Sequence, residues 1–419
     1  MSEIQINNRK RTHALDRLIK RGFYRQCTDE IGLRNKMAGG SIKFYVGIDP
    51  TASSLHIGHL VPLYAAAHLQ REGHKPIILM GGGTARIGDP SGKTRMRRLL
   101  DYRQIDENIK KIIPQIARII DFDKAGVLLG NNADWLASLN YIAFLRDIGR
   151  HFSVNRMLGF ETYKQRMAKG LSFLELNYQL LQSYDFLELW RREECLLQVG
   201  GNDQWGNIVA GVELIRRVAG VAAYGLTFPL LTRSDGRKMG KTEKGALFLD
   251  PAITPVYEFY QYWRNVPDQD VENLLLIFTF LPEEECRRLG SAKGTKINSS
   301  KERLAYEVTS LLHGKDEALN AQEAARAVFS NGKNKDGVPS RMMPKADFEA
   351  GISIVDLLAQ TDLCNSKSEA RRLVLQGGAG VNGKRVGGID TIIGLSDVID
   401  GELLLRAGKK RHFRIAVTE

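Results

Sequence analysis

The chain has no run of about eighteen apolar residues, the length a helix needs to cross a membrane, so no transmembrane span is predicted. Its four cysteines, Cys27, Cys195, Cys286 and Cys364, are scattered, with no Cys-x-x-Cys pair and no regular spacing. That argues against a disulfide framework and a zinc knuckle and points to reduced thiols. The first residues, MSEIQINNRKRTHALDRLIKRG, are basic but lack an apolar core and include Glu3 and Asp16, so they resemble neither a signal nor a transit peptide. A cytoplasmic protein is expected. There is no internal repeat and no low-complexity segment. Histidine is scarce too, eight in 419 residues, yet two of them stand three apart in SLHIGHL, residues 54–60.

A length of 419 residues exceeds one ordinary core and points to two or three domains, and 43% hydrophobic content is enough to bury them. Sixty Lys and Arg against 48 Asp and Glu give a formal charge of +12, which favours a polyanionic partner without identifying it. From residue 41 to about 232, strand-like IKFYVGID, KPIILMGG, CLLQVGG and LTFPLLT alternate with helix-like HLVPLYAAAHLQREG and GNIVAGVELIRRV. That is the pattern of an α/β fold with a parallel sheet. After about residue 250 the periodicity turns helical, in PVYEFYQYWR, VENLLLIFTFL, KERLAYEVTSLLHG and EALNAQEAARAVF. NGKNKDGVPSRMMPK, residues 331–345, reads as a linker to a small closing module.

In SIKFYVGID, Ile42, Phe44, Val46 and Ile48 alternate with Lys43, Tyr45, Gly47 and Asp49, so Tyr45, Gly47 and Asp49 share one strand face. Such a face suggests a surface kept open for a ligand, with Gly47 letting it touch the backbone; an edge strand with one solvated face explains the pattern equally well. DPTASS then leads into HIGHL, where Leu60, Leu63 and Ala67 recur at helical spacing. His56 and His59 therefore open a helix just after a strand, where backbone amides and the helix dipole favour an anion, and Gly58 admits a nucleotide. Two other readings stay open: a purely structural helix start, and a metal pair, although no His-Glu-x-x-His pattern or third ligand stands nearby.

PIILMGGGTARIGDPSGKT fits neither of two common phosphate patterns: Ile87 stands where the Walker loop needs glycine, and Arg86 breaks the dinucleotide spacing. What remains is a strand end, a glycine turn carrying Asp89 and a basic run, GKTRMRR. Asp89 could hold an amine or simply solvate a turn. In LSFLELNYQLLQSYDFLEL, Tyr178, Gln182 and Asp185 fall on one helical face and form a hydrogen-bonding set that suits a pocket wall. LLQVGGNDQWGN places Asp203 and Gln204 at the carboxyl end of a strand, where open α/β sheets bind ligands. TRSDGRKMGKTEKGA is a turn-rich loop whose Lys238 and Lys241, with Thr242, suit a developing phosphate charge, unless it is a plain solvated loop.

HIGH and KMGKT in that order, with YVGIDPTASSLHIGH, GDPSGK, NYQLLQSYDF and GGNDQWGN around them, resemble the bacterial-type tyrosyl-tRNA synthetases, class I aminoacyl-tRNA synthetases, over essentially the whole chain. The resemblance implies a Rossmann-like catalytic domain with a parallel sheet over 1–235, with a dimer-interface insertion around 130–165. A lysine loop and an all-helical anticodon-side domain would span 236–330, a linker 331–349, and a small α+β α-L RNA-binding domain 350–419. It implies that Tyr45 and Asp185 bind the phenolic hydroxyl of L-tyrosine, and Asp89, Tyr178 and Gln182 its ammonium. Gly47, Asp49, Gly58, Asp203 and Gln204 would hold ATP or adenylate. Thr51, His56 and His59 would grip the phosphates with Lys93, Arg97, Lys238, Lys241 and Thr242. Two positions depart from the family pattern: Val46 replaces a usual cysteine and Asn202 a usual serine, so altered ATP affinity is expected.

The reaction implied is formation of tyrosyl-adenylate and pyrophosphate, then transfer of tyrosine to tRNA(Tyr). The substrate carboxylate is the nucleophile, which accounts for the lack of a serine, cysteine or histidine triad. Mg2+ is expected to arrive with ATP, with no protein metal site. In SIVDLLAQTDLCNSKSEARRLVLQGGAGVNGKRV and RAGKKRHFR, the residues Lys367, Arg371, Arg372, Lys384, Arg385, Lys409, Lys410 and Arg411 are expected to meet tRNA phosphates. FLRDIGRHFSVNRM looks like the family's homodimer segment. The rivals are another HIGH-type nucleotidyl transferase or the tryptophanyl relative, against which Tyr45 with Asp185 and the α-L tail discriminate, and an RNA-binding or splicing factor derived from a synthetase, against which the intact HIGH and lysine loop argue.

Overall fold

The computed structural model describes residues 13–91, 100–168, 170–232, 234, 239–242, 245–329, 339–361, 363–408 and 411–418. The chain divides into two compact units, residues 1–254 with 267–300, and residues 255–266 with 301–419.

The first unit is built on six strands: β1 (Gln26–Cys27), β2 (Lys43–Ile48), β3 (Lys75–Met80), β4 (Leu128–Asn131), β5 (Leu197–Gly201) and β6 (Tyr224–Phe228). Their order across the sheet is β1-β6-β5-β2-β3-β4. All neighbours run parallel except β1, which pairs antiparallel with β6 at one edge. β2 is central, between β5 and β3, and Phe44, Tyr45 and Val46 are all buried. The edge-strand reading of SIKFYVGID is thereby excluded. LTFPLLT is strand only as far as Phe228, because Pro229 has no amide to give to a ladder.

The helix Ile57–Arg71 carries the chain from β2 to β3, and the helices Phe173–Glu193 and Trp205–Ala219 bracket β5 in sequence. The chain thus leaves β2 toward β3 and β4 on one side, while β5 and β6 lie on the other. Helices turning away in opposite directions open a crevice at the carboxyl ends of β2 and β5, the usual ligand position of such sheets. The helices Val271–Phe278 and Glu283–Gly290 also belong to this unit. Buried Arg21 donates to the carbonyl oxygens of Leu276 at 2.7 Å and Thr279 at 3.0 Å, and to that of Leu281, satisfying acceptors at a helix C-terminus.

The second unit contains the helices Val256–Arg264 and Lys315–Phe329, with Phe259, Tyr260 and Trp263 buried. Its C-terminal part has a five-stranded sheet in the order Lys384–Arg385, Ala379–Val381, Glu402–Ala407, Arg411–Thr418, Ser340–Pro344. With it go the helices Ile354–Gln360 and Lys367–Leu375, around a core that includes Phe348, Leu357, Leu358, Leu403, Leu405 and Ile415. No described helix is long and apolar enough to cross a membrane.

Candidate active site

The crevice holds a cavity of about 300 Å³ walled by the ends of β2, β3 and β5, the start of the helix Ile57–Arg71 and the stripe of the helix Phe173–Glu193. Tyr45, Gly47, Asp49, Thr51, His56, Gly58, His59, Asp89, Tyr178, Gln182, Asp185, Asp203 and Gln204 all line it. Lys93, Arg97 and Lys238 lie outside the described residues. The backbone of Lys241 and Thr242 pairs with Gly245 and Ala246 as a short antiparallel ribbon.

At the inner end, Tyr45 is 1% exposed and its hydroxyl has no hydrogen-bond partner among the described residues. Burial, with Asp185 next, pushes that phenol well above its ordinary value, so it stays protonated. Asp185 accepts hydrogen bonds from Asn132 Nδ2 at 2.8 Å and Trp135 Nε1 at 2.7 Å. Burial nevertheless pushes its carboxyl up to about 7; the two hydrogen bonds oppose the rise and Asp49 and Glu188 add to it.

From there a network runs along the cavity wall. Asn132 Nδ2 also donates to Thr84 Oγ1 at 2.9 Å, Thr84 Oγ1 donates to Asp49 Oδ1 at 2.7 Å, and Tyr178 Oη donates to Asp49 Oδ2 at 2.9 Å. A second set lies beside it. Gln204 Nε2 donates to Asp89 Oδ2 at 2.7 Å, the amide of Ser91 to Asp89 Oδ1 at 2.8 Å, and Asn207 Nδ2 to Gln182 Oε1 at 3.0 Å. Asp89 is therefore buried and oriented, which excludes the solvated turn. Gly47 is exposed, and an added Cβ would meet only the Tyr45 ring, at 3.9 Å, so a ligand can lie directly on this backbone.

His56 and His59 cap their helix reciprocally. His56 Nδ1 accepts from the amide of Gly58 at 3.0 Å, and His59 Nδ1 accepts from the amide of His56 at 3.1 Å. Their rings stack with centroids 3.9 Å apart. Because both Nδ1 atoms accept, the neutral tautomer with the proton on Nε2 is the one that fits, and each ring offers an Nε2–H donor. Thus the structural and anion-binding readings are not exclusive. The lysine loop is tied to this helix start: the amide of Leu247 bonds the Gly240 carbonyl at 2.8 Å and that of Ile57 the Leu247 carbonyl at 3.2 Å. At Gly240, φ is +79° and an added Cβ would come within 3.1 Å of Ile57 Cβ, so only glycine fits easily.

Sequence reasoning missed Asn132, Trp135, Thr84 and Gln198, which orient or line the site. Asn132 and Trp135 follow β4 directly in GNNADW, a strand end like those that were singled out. Asn202 does not serve the cavity through its Oδ1, which accepts from Gln26 Nε2 on β1 at 2.6 Å. In the C-terminal part, Arg371, Arg372, Lys384 and Arg385 are exposed. Lys367 pairs with Asp356 at 2.7 Å and Arg411 stands 4.0 Å from Glu369, while Lys409 and Lys410 lie outside the described residues. Among the described residues no group of three or more His, Cys, Asp or Glu could hold a metal.

A parallel sheet with its cavity at the point of reversal, beside a histidine-capped helix, has the fold of the class I synthetases. Residues 37–330 match the family described as tRNA synthetases class I (W and Y), and residues 333–415 match the Tyrosine--tRNA ligase SYY-like C-terminal domain. A Tyrosine--tRNA ligase from Treponema denticola is 56% identical over 403 residues, covering 96% of this chain and 98% of that one. One from Caldanaerobacter subterraneus subsp. tengcongensis is 53% identical over 405 residues, covering 97% and 99%. The C-terminally truncated mitochondrial tyrosyl-tRNA synthetase of Aspergillus nidulans superposes with a TM-score of 0.68 at 30% identity, over 77% of this chain and 96% of that one. The Archaeoglobus fulgidus tyrosyl-tRNA synthetase complexed with L-tyrosine, at 17% identity and a TM-score of 0.56, covers 74% and 99% and shares the fold. The chain belongs to the tyrosyl-tRNA synthetases.

Proposed function

We propose that the chain condenses L-tyrosine with MgATP to tyrosyl-adenylate and pyrophosphate, and then passes the tyrosyl group to the 3′-terminal ribose of tRNA(Tyr). One observation carries the choice of amino acid: a fully buried phenol, Tyr45, whose hydroxyl has no partner among the described residues, lines the same cavity as the oriented carboxylate of Asp185. A substrate hydroxyl placed there donates to Asp185 and accepts from Tyr45. Phenylalanine leaves the buried Tyr45 hydroxyl without an acceptor and the buried Asp185 carboxylate with only its Asn132 and Trp135 donors, and a site built to bond a hydroxyl rejects the analogue lacking it.

The other roles follow from the side chains that line the cavity. Tyr178 already donates to Asp49, so its oxygen accepts from the substrate ammonium, beside Asp89 and Gln182. Asp49, Asp203 and Gln204, with the open backbone at Gly47 and Gly58, hold the adenylate. The substrate carboxylate attacks the α-phosphorus and the bond to pyrophosphate breaks. Thr51 and the two Nε2–H donors of His56 and His59 meet the phosphate oxygens as charge develops, with Lys93, Arg97, Lys238, Lys241 and Thr242 from the loops. Magnesium enters as part of the substrate. In the second step a ribose hydroxyl attacks the adenylate carbonyl and AMP leaves.

This reading takes a catalytic domain over 1–235, a lysine loop and helical domain over 236–330, a linker over 331–349 and a C-terminal RNA-binding domain over 350–419. Arg371, Arg372, Lys384 and Arg385, with Lys367, Lys409, Lys410 and Arg411, contact tRNA phosphates. Exposed Tyr141, Ile142 and Val154, with Met167 and Phe173 just beyond, support a homodimer built on the segment around 130–165. The compartment is the cytoplasm, in keeping with four cysteines that are all unpaired. ATP–pyrophosphate exchange with each common amino acid in turn tests the reading. Exchange with tyrosine alone is expected; exchange with tryptophan, or none from folded protein with magnesium present, overturns it.

A further inference from the structure

Beyond the cavity, one ion pair among the described residues of the first unit is buried on both sides. Arg166 and Glu175 have side chains 3% and 2% exposed, and meet through Arg166 Nε to Glu175 Oε1 at 3.0 Å and Arg166 Nη2 to Glu175 Oε2 at 3.0 Å. The pair is satisfied further: Arg166 Nη2 donates to the Gly170 carbonyl at 3.2 Å, and the amide and hydroxyl of Ser172 donate to Glu175 Oε2 at 3.0 and 2.9 Å. Taking two charges out of water in this way is a poor route to stability, since packed apolar residues do as well or better. The location suggests another use.

Glu175 stands three residues before Tyr178 and seven before Gln182, on the face that forms the cavity wall. Arg166 lies in the last turn of the helix Glu161–Met167, whose other contacts reach the opposite wall. Thr162 Oγ1 donates to the Asp203 carbonyl at 3.2 Å, and Phe160 lies so close over Gly206 that an added Cβ would come within 2.9 Å of its ring. Gln179, one turn beyond Glu175, donates to the Gly206 carbonyl at 3.0 Å.

We propose that Arg166 and Glu175 are positioning residues of the substrate site. The pair locks the 160–172 segment to the start of the stripe helix, and that segment in turn presses on the turn of Asp203 and Gln204. Distances across the cavity, between the side chains that hold the ammonium and those that hold the adenylate, are thus set by a two-pronged contact outside it. A planar guanidinium fork meeting a carboxylate fixes orientation as an apolar contact does not.

This inference rests on the proposed tyrosine activation, and its test is chosen to separate the two. In Arg166→Met combined with Glu175→Met, apolar side chains of similar reach replace both charges, so folding is retained. Exchange kinetics, normalised to active sites by the adenylate burst, are expected to show a KM for tyrosine raised about tenfold or more with kcat within about threefold, because small misplacements weaken a hydrogen-bonded site steeply. Arg166→Lys keeps the charge without the fork and is expected to fall between. Unchanged KM in both variants overturns the proposal and leaves the pair a packing element; should the double variant fail to fold, the lysine variant decides in the same way. Amide hydrogen exchange across 173–178 and 202–206 gives a readout independent of activity. Faster exchange at both walls is expected, and unaltered protection overturns the proposal even where the unsubstituted protein shows no tyrosine-dependent exchange, an outcome that would itself refute the activation chemistry.

Discussion

The indole of Trp135 donates to Asp185 Oδ1 at 2.7 Å, deep inside the sheet unit and fifty residues away in sequence. It holds the carboxylate proposed to read the substrate hydroxyl, and it favours the ionised form of a group that burial drives the other way. Trp135→Phe keeps the ring and removes the donor. A hydrogen bond to a charged group is worth about 1.5–3 kcal/mol, so the KM for tyrosine should rise roughly tenfold or more while that for ATP changes little. Steady-state exchange with each substrate varied separately measures this.

Asp185→Ala should impair tyrosine activation far more than ATP binding. Equal losses in both would remove the carboxylate from its assigned role. Equilibrium binding of a tyrosine analogue and of an ATP analogue to the same variant makes the comparison directly.

The same carboxyl predicts a pH dependence of two opposite signs. Its folded value of about 7 lies above the ordinary 3.8, so its contribution to stability is fully present below 3.8 and is lost as pH rises through about 7. Tyrosine binding needs the ionised acceptor and should therefore weaken as pH falls below about 7. Asp185→Asn should flatten the acid limb of kcat/KM for tyrosine and remove the matching step from thermal stability, both read over pH 5 to about 8.5.

His56→Asp separates capping from anion binding. Aspartate is a strong N-cap, so the melting temperature should hold to within a few degrees, while a negative charge facing the phosphates should slow exchange by roughly a hundredfold or more. A variant that loses stability and rate in parallel would mark the histidine as structural alone.

Phe173 is 68% exposed at the first turn of the stripe helix. Phe173→Asp should shift the protein from a dimer to a single chain in sedimentation experiments, if this surface is the one the homodimer buries. An unshifted dimer would place the interface elsewhere.

Much of the site was legible because its parts are local. A strand face with Tyr45, Gly47 and Asp49, a helix opened by His56 and His59, and a stripe of Tyr178, Gln182 and Asp185 each follow from short-range periodicity. The partners of those residues were not legible. Asn132 meets Asp185 across 53 positions, Thr84 meets Asp49 across 35, and Gln204 meets Asp89 across 115, and no spacing encodes contacts made by the crossing of a sheet. The partner of Asn202 was not legible either: its Oδ1 accepts from Gln26 on the antiparallel edge strand, 176 positions away.

The cap formed by His56 and His59 bears on turnover as well as on binding. Each imidazole spends Nδ1 on a backbone amide, which leaves the proton on Nε2. Neutral donors strengthen as charge gathers on the phosphates but hold a departed anion less tightly than fixed cations do. In the proposed reaction the permanent positive charge comes instead from Lys93, Arg97, Lys238 and Lys241, so the helix start itself would stabilise the phosphates as charge develops without adding a fixed cation that retains pyrophosphate.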